Sequence, residues 1–256
     1  MGMSGESMKK EEQKRELAVQ DYSRDEDGKE YYLASLLDPE RQSNMEYMNK
    51  FNQMMMMYRC AIREIQTKLE VLNDDLGSRY ERNPIEHIIC RIKEPKSIAK
   101  KLKKRNLPIC ADSIPGNLND VAGIRVICSF IDDIYTIAGM LIRQDDIKLV
   151  KMKDYIEHPK KNGYRSLHLI LEVPVFFADE TRPMRVEVQI RTIAMDFWAS
   201  LDHHLRYKKD VRDIKDAKSI EEELKRCADV ISKTDEDMLR IRKRIFMDDT
   251  IAENRD

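Results

Sequence analysis

At 256 residues and 41% hydrophobic content the chain can bury one sizeable core, and its 36% charged residues cancel to a net charge of −1. That balance excludes a generic polyanion binder, so any anion recognition must come from local charge. Five cysteines without a CxxC pair exclude a disulfide scaffold or structural zinc site and point to reduced, mostly buried thiols.

The first 39 residues are polar and read as a flexible extension, helical at most over 11–20. They contain no apolar signal core, and Glu6 stands where N-myristoylation wants Ser or Thr. No window approaches the length of a membrane span, so a soluble, cytoplasmic protein with no membrane partner is expected. Over 40–82, Met48, Phe51, Met55, Tyr58, Ile62, Ile65, Leu69 and Leu72 recur at steps of three and four, which predicts a long amphipathic helix. The run "MMMM" at 54–57 reads as core or interface packing. A strand at 85–93 and a basic helix at 97–105 follow, and "SIPGNL" makes a turn. A β-branched strand lies at 121–130, a helix at 131–144 and a strand at 147–156. The strand at 166–177 should break or bend at Pro174. The stretch 183–192 alternates strictly, with Val186, Val188 and Ile190 on one face and Glu187, Gln189 and Arg191 on the other. Helices at 193–206 and 216–247 close the chain. The expected fold is α/β (α+β): one domain over 40–247 with a mixed sheet of about five strands flanked by helices, then a tail at 248–256.

Four segments put polar groups where structure alone does not need them. "RIKEPKSIAKKLKKR" (91–105) is the first. Between His87 and Arg105 there are eight Lys or Arg against one Glu, a strand–turn–helix suited to a polyphosphate or an RNA backbone, although a solvated helix face is the commoner use of such charge. In "NDVAGIRV", Asp120 precedes a strand, Gly123 permits close approach, and Arg125, set among apolar residues, needs a carboxylate or phosphate. In "VEVQIRT" a carboxylate, an amide and a guanidinium share one strand face. If Asp120 and Glu187 lie on neighbouring strands, they form a two-carboxylate site for Mg²⁺, which takes few protein ligands besides phosphate oxygens. "HPKKNGYRSLHLILEV" (158–173) opens with a basic turn and then sets Tyr164, Ser166 and His168 opposite Leu167 and Leu169. Tyr164 offers a ring to a base, the lysines suit phosphates, and His168 suits a phosphate or ribose oxygen. Taken singly, each has a structural use. Together they fit nucleotide binding with metal-assisted phosphoryl transfer.

In order and content these segments resemble the synthetase domain of RelA/SpoT-type alarmone synthetases, over about 45–235, and the length fits the small single-domain branch. The resemblance implies a nucleotidyltransferase-like fold with long terminal helices, and transfer of the β,γ-pyrophosphate of ATP to the 3′-hydroxyl of GTP or GDP, giving pppGpp or ppGpp and AMP. It implies that Asp120 and Glu187 hold Mg²⁺ as the catalytic pair, and that Glu187 accepts the 3′-hydroxyl proton provided its carboxylate reaches it. Arg91, Lys93, Ser97, Lys101 and Arg125 fall on the ATP side, with one further basic residue at Lys104 or Arg105. Lys160, Lys161, Asn162, Tyr164, His168, Gln189 and Arg191 fall on the GTP side. "LDHHLRYK" lacks the metal-motif order of the family's hydrolase half and excludes that role. Two other readings stand beside this one: a toxic-type synthetase that pyrophosphorylates the tRNA 3′ end, and a non-catalytic nucleotide or single-stranded RNA binding regulator. Some small synthetases are homotetramers closed by their terminal helices, with an allosteric pppGpp cleft. His87 stands where the activated members carry an aromatic residue, a departure from that pattern.

Overall fold

The computed structural model describes residues 22–24, 30–32, 39–80, 82–208 and 217–253, with side chains over 45–79, 82–205 and 218–246. They fall into two units, one of residues up to 55 with Cys110–Asp112, the other of 56–109 and 113 onward. In the first, β1 (Tyr22–Arg24) pairs antiparallel with β2 (Glu30–Tyr32). The helical stretch expected at 11–20 lies outside the described residues. Helix α1 (Pro39–Tyr80) starts in this unit and runs into the second. Proline as its first residue suits a position that needs no backbone donor.

In the second unit, β3 (Ile85–Ile92), β4 (Ala122–Cys128), β5 (Lys148–Asp154), β6 (Leu167–Phe176) and β7 (Thr181–Thr192) form one sheet in the order β3-β4-β7-β6-β5. Only β4 and β7 are parallel. Helices α2 (Pro95–Lys104), α3 (Ile131–Ile142), α4 (Ile193–Lys208) and α5 (Ala217–Glu253) complete it. The mixed sheet and flanking helices match the expected α+β architecture.

Alternation sorts the sheet into two faces. Ile124 and Val126 of β4, Val186, Val188 and Ile190 of β7, and Leu167, Leu169 and Leu171 of β6 are buried on one of them. Burying each such side chain stabilises the fold by about 1.5–3 kcal/mol. Helix α3 packs against β4 and β7, burying Ile134, Ile137, Ala138 and Leu141. Cys90 donates to Gln66 of α1 at 3.2 Å, which sets α1 on the same face, with Tyr58, Ile62, Ile65 and Leu69 buried. The opposite face carries Arg91, Gly123, Arg125, Glu187, Gln189 and His168, brought side by side by the register Arg91↔Gly123↔Glu187 and Arg125↔Gln189↔His168.

Three expectations differ from the structure. The sheet strand β6 runs unbroken through Pro174, which sits opposite Pro183. Neither residue has an N–H to give, and β5 and β4 end short of them, so no ladder bond is lost. Helix α5 continues to Glu253, past 247, because no Gly or Pro stops it. All five cysteines are free, but only Cys128 is buried; Cys90 lies on edge strand β3 and Cys227 on the outer side of α5.

Candidate active site

Asp120 and Glu187 meet in one cleft. Asp120 is delivered by the loop entering β4, Glu187 by the middle of β7, and both line a hollow with Ile89, Arg91, Gly123, Arg125 and Gln189. Gly123 lies directly between Arg91 and Glu187 in the register. A Cβ there would meet only Arg91 O at 3.7 Å and Glu187 O at 4.0 Å, so the room that glycine leaves belongs to the cleft rather than to tight packing in the chain.

Two lysines hold Asp120. Lys93 Nζ and Lys101 Nζ donate to its Oδ2 at 2.9 and 2.6 Å, while Oδ1 is buried without a partner. Burial pushes the Asp120 pKa up, but the two ammonium groups outweigh it and hold the carboxyl below its ordinary value. Glu187 behaves alike. Burial raises its pKa, and bonds from His168 and Gln189 bring it below normal, against an opposing contribution from Asp120. Two ionised carboxylates in one cleft, one with an unsatisfied oxygen, make a donor set that suits a divalent cation also bound to phosphate. Among the described residues no cluster of three or more such ligands occurs; a hard cation completes such a shell with water and phosphate oxygens.

Glu187 also belongs to a closed ring of hydrogen bonds. Arg191 donates to the Tyr164 hydroxyl (2.6 Å) and to Gln189 Oε1 (2.8 Å); Gln189 donates to Glu187 Oε2 (3.0 Å). Tyr164 Oη lies 2.8 Å from His168 Nε2, and His168 Nδ1 lies 3.3 Å from Glu187 Oε1. With Nδ1 protonated every member is satisfied: Tyr164 donates to Nε2 and Nδ1–H donates to Glu187. The aromatic end is built by Tyr155, whose ring meets Tyr164 and His168 edge-on at 6.0 and 5.2 Å. Lys160 Nζ sits 4.4 Å from the Tyr164 centroid and 4.6 Å from that of Tyr155.

The structure thus gathers Arg91, Asp120, Arg125, Glu187 and Gln189 at the cleft, with Lys93 and Lys101 on its carboxylate and Lys160, Tyr164, His168 and Arg191 at the aromatic end. Others stand apart. Ser97 and Lys104 are exposed on α2, and Arg105 is tied to the Asn117 carbonyl. Lys161 is exposed, and Asn162 shapes its own turn through Tyr164 N and reaches Asp202 on α4 at 3.4 Å. Sequence reasoning missed three participants. Asp196 in the first turn of α4 pairs with Arg125 (3.3 Å) and Arg191 (3.1 Å), the carboxylate that a half-buried Arg125 requires. Arg185 reaches Gly116 O and Asn119 Oδ1, fixing the loop that delivers Asp120. Tyr155 is the third. The need for a partner to Arg125 was the only signal, and it named no residue.

The chain resembles known proteins over most of its length. The family model described as "Region found in RelA / SpoT proteins" matches residues 90–212. The chain is 40% identical over 198 residues to GTP pyrophosphokinase YwaC of Bacillus subtilis, covering 77% of this chain and 93% of that one. It is 34% identical over 185 residues to GTP pyrophosphokinase YjbM of the same organism, covering 72% and 85%. Among solved structures, small alarmone synthetase 2 of B. subtilis matches with a TM-score of 0.67 and 40% identity, over 75% of this chain and 98% of that one. Small alarmone synthetase 1 of B. subtilis bound to its product pppGpp matches at 0.66 and 34%, over 73% and 94%. The fold is nucleotidyltransferase-like, as theirs is, and the chain belongs to the RelA/SpoT family, among its small alarmone synthetases.

Proposed function

We propose that the chain is a GTP pyrophosphokinase, which transfers the pyrophosphate of ATP to the 3′-hydroxyl of GTP or GDP and releases AMP, making (p)ppGpp for stringent-response signalling. The relatives' names support the reaction. One observation carries its placement here: Asp120 and Glu187 line one cleft with Arg91 of the strand–helix unit rich in Lys and Arg, and Glu187 is hydrogen-bonded to His168 on the strand that follows the aromatic, basic loop.

The chemistry is largely charge management, since two anionic nucleotides must approach in line. Arg91 and Arg125 present guanidinium groups to the ATP phosphates from adjacent strands. Lys93 and Lys101 keep Asp120 ionised, and their remaining donors serve the same substrate. Tyr164 stacks on guanine, which requires Lys160 to leave the ring face and turn to the phosphates. His168 and Gln189 hold the Glu187 carboxylate toward the ribose, where it accepts the 3′-hydroxyl proton, and Arg191 holds Gln189 and Tyr164. Asp120, with its free oxygen, and Glu187 are the residues that would hold Mg²⁺. The ion, when bound, offsets phosphate charge and polarises the phosphoryl group. We further read the protein as cytoplasmic and homo-oligomeric; among the described residues no helix is long and apolar enough to cross a membrane.

The test is product analysis by chromatography with Mg²⁺, labelled ATP, and GTP, GDP or tRNA. Label on the guanosine nucleotide is expected. Label on tRNA alone identifies the toxic-type reaction, and no transfer at all leaves a binding regulator. Glu187→Gln should abolish transfer, by about a hundredfold or more as for loss of an electrostatic or acid–base group, while circular dichroism and melting remain those of the parent. Near-normal turnover in that variant removes the assigned role.

A further inference from the structure

The loop that carries Tyr164 rests on a helix outside the sheet. Gly163, buried at φ +88°, closes a turn by donating to Lys160 O at 2.8 Å. A side chain here is strained by the backbone alone, and it also has nowhere to go: a Cβ would overlap that of Ala228 on α5, with Lys225 Cα and O at 3.6 Å. Ala228 is itself buried. Beside this contact, Arg165 pairs with Asp229 of α5 at 3.6 Å and donates to Ile156 O at 3.1 Å.

Helix α5 is in turn anchored on either side of that seat. Trp198 Nε1 of α4 donates to Leu224 O at 3.1 Å, and Thr192 Oγ1, at the end of β7, donates to Asp235 Oδ2 at 2.6 Å. Ala228 and Asp229 fall between these ties, so the loop backbone is pressed on a fixed stretch of helix. No residue of α5 lines the Asp120–Glu187 cleft. A shift of α5 therefore moves the turn at Gly163, and with it the adjacent Tyr164, before it reaches the ATP side.

We propose that α5 is the seat of the guanine-nucleotide loop, with Ala228 and Asp229 as positioning residues that set the affinity for GTP or GDP without touching it. This rests on the assignment of Tyr164 and Lys160 to the guanine nucleotide. Seat and assignment are separable, because loop mobility reports the first and the choice of affected substrate reports the second.

The experiment uses the full chain carrying Ala228→Leu, which forces bulk under the turn, and Asp229→Ala, a surface change that cannot unfold the core. Ala228→Ser preserves the volume. Hydrogen–deuterium exchange over 158–166 and initial rates, with GTP and ATP varied separately, are measured for each. Expected for Ala228→Leu are faster exchange of the loop, a KM for GTP raised about tenfold as an overpacked contact implies, a KM for ATP within about twofold, and little change in kcat. Asp229→Ala should shift the same two readings less, and Ala228→Ser should match the parent. The clash itself is tested by Gly163→Ala: its rise in KM for GTP should fall by about threefold or more when Ala228→Gly is added, leaving the backbone strain. Unchanged loop exchange in both α5 variants overturns the proposal. So does faster exchange with neither KM altered, or a loss of kcat with both KM values intact, which marks mere destabilisation. Faster exchange with only the KM for ATP raised keeps the seat and removes the guanine assignment.

Discussion

Tyr164 does two jobs with two parts of one side chain. Its ring faces Lys160, and its hydroxyl bridges Arg191 and His168. The parts separate by substitution. Tyr164→Phe keeps the ring but opens the hydrogen-bonded circle at its hydroxyl, so His168 loses the bond that orients it toward Glu187. One such bond is worth about 1 kcal/mol, so kcat should fall about fivefold while the KM for GTP barely changes. Tyr164→Ala should instead raise the KM for GTP and leave that for ATP. If Tyr164→Phe behaves like Tyr164→Ala, the hydroxyl does not act through Glu187. The sequence shows the types of these residues but not the circle. Glu187, Gln189 and Arg191 share a strand face by alternation alone, whereas the approach of His168 to Glu187 needs the β6–β7 register, which no local pattern encodes. Asp196 was hidden for the same reason, since its partners Arg125 and Arg191 lie on different strands.

At the scale of elements, the central strands and shorter helices follow from periodicity because they have one buried side and clear stops, whereas edge strand β5 buries no residue and α5 has no stop. Pro95 opens α2, and "SIPGNL" separates it from β4. What the pattern could not supply was β-sheet order, and hence that two prolines could face each other where neither owes a bond. Nor did it show that α5 turns a carboxylate inward. Asp235 is buried, and that burial raises its pKa, against the hydroxyl of Thr192 that lowers it. For an acid with a raised folded pKa, the native state holds the proton more tightly than the unfolded chain. Stability is then full below the unfolded value of about 3.9 and declines as pH rises toward the folded pKa. Above its folded pKa the helix carries a buried carboxylate that accepts from Thr192. Asp235→Asn keeps a partner for Thr192 and removes the charge, so it should raise the melting temperature at pH 7.5 by about 2–4 °C for each kcal/mol recovered and by less at pH 4. An equal loss at both values would show that the carboxylate is needed for its geometry.

For the molecule as a whole, charge and apolar surface are segregated. Net charge is −1 although α2 and its approach are strongly basic, so acidic residues elsewhere offset them. Two copies at −1 each repel negligibly: unit charges only 4 Å apart in water interact by about 1 kcal/mol, and copies are much further separated. Nothing electrostatic therefore prevents self-association. On α5, Val230, Ile241 and Ile245 are exposed within about 60° of one line along the helix, and Met238 beside them lines a hollow with the exposed Ile193 and Phe197 of α4. Apolar side chains of this size left in water along one side of a helix are the mark of a surface meant to be covered. In a protein of one chain type the simplest cover is the same stripe on a second copy, related by a two-fold axis. Light scattering at micromolar concentration should therefore give a mass of two chains or a multiple of two, and replacing Ile241 and Ile245 together with Asp should reduce it toward one. Since neither residue lies in the cleft, product formation per chain should survive in the dissociated variant unless assembly itself sets the loop through α5. A parent that elutes and scatters as a single chain, with the stripe intact, would show that this surface is covered by something other than a copy.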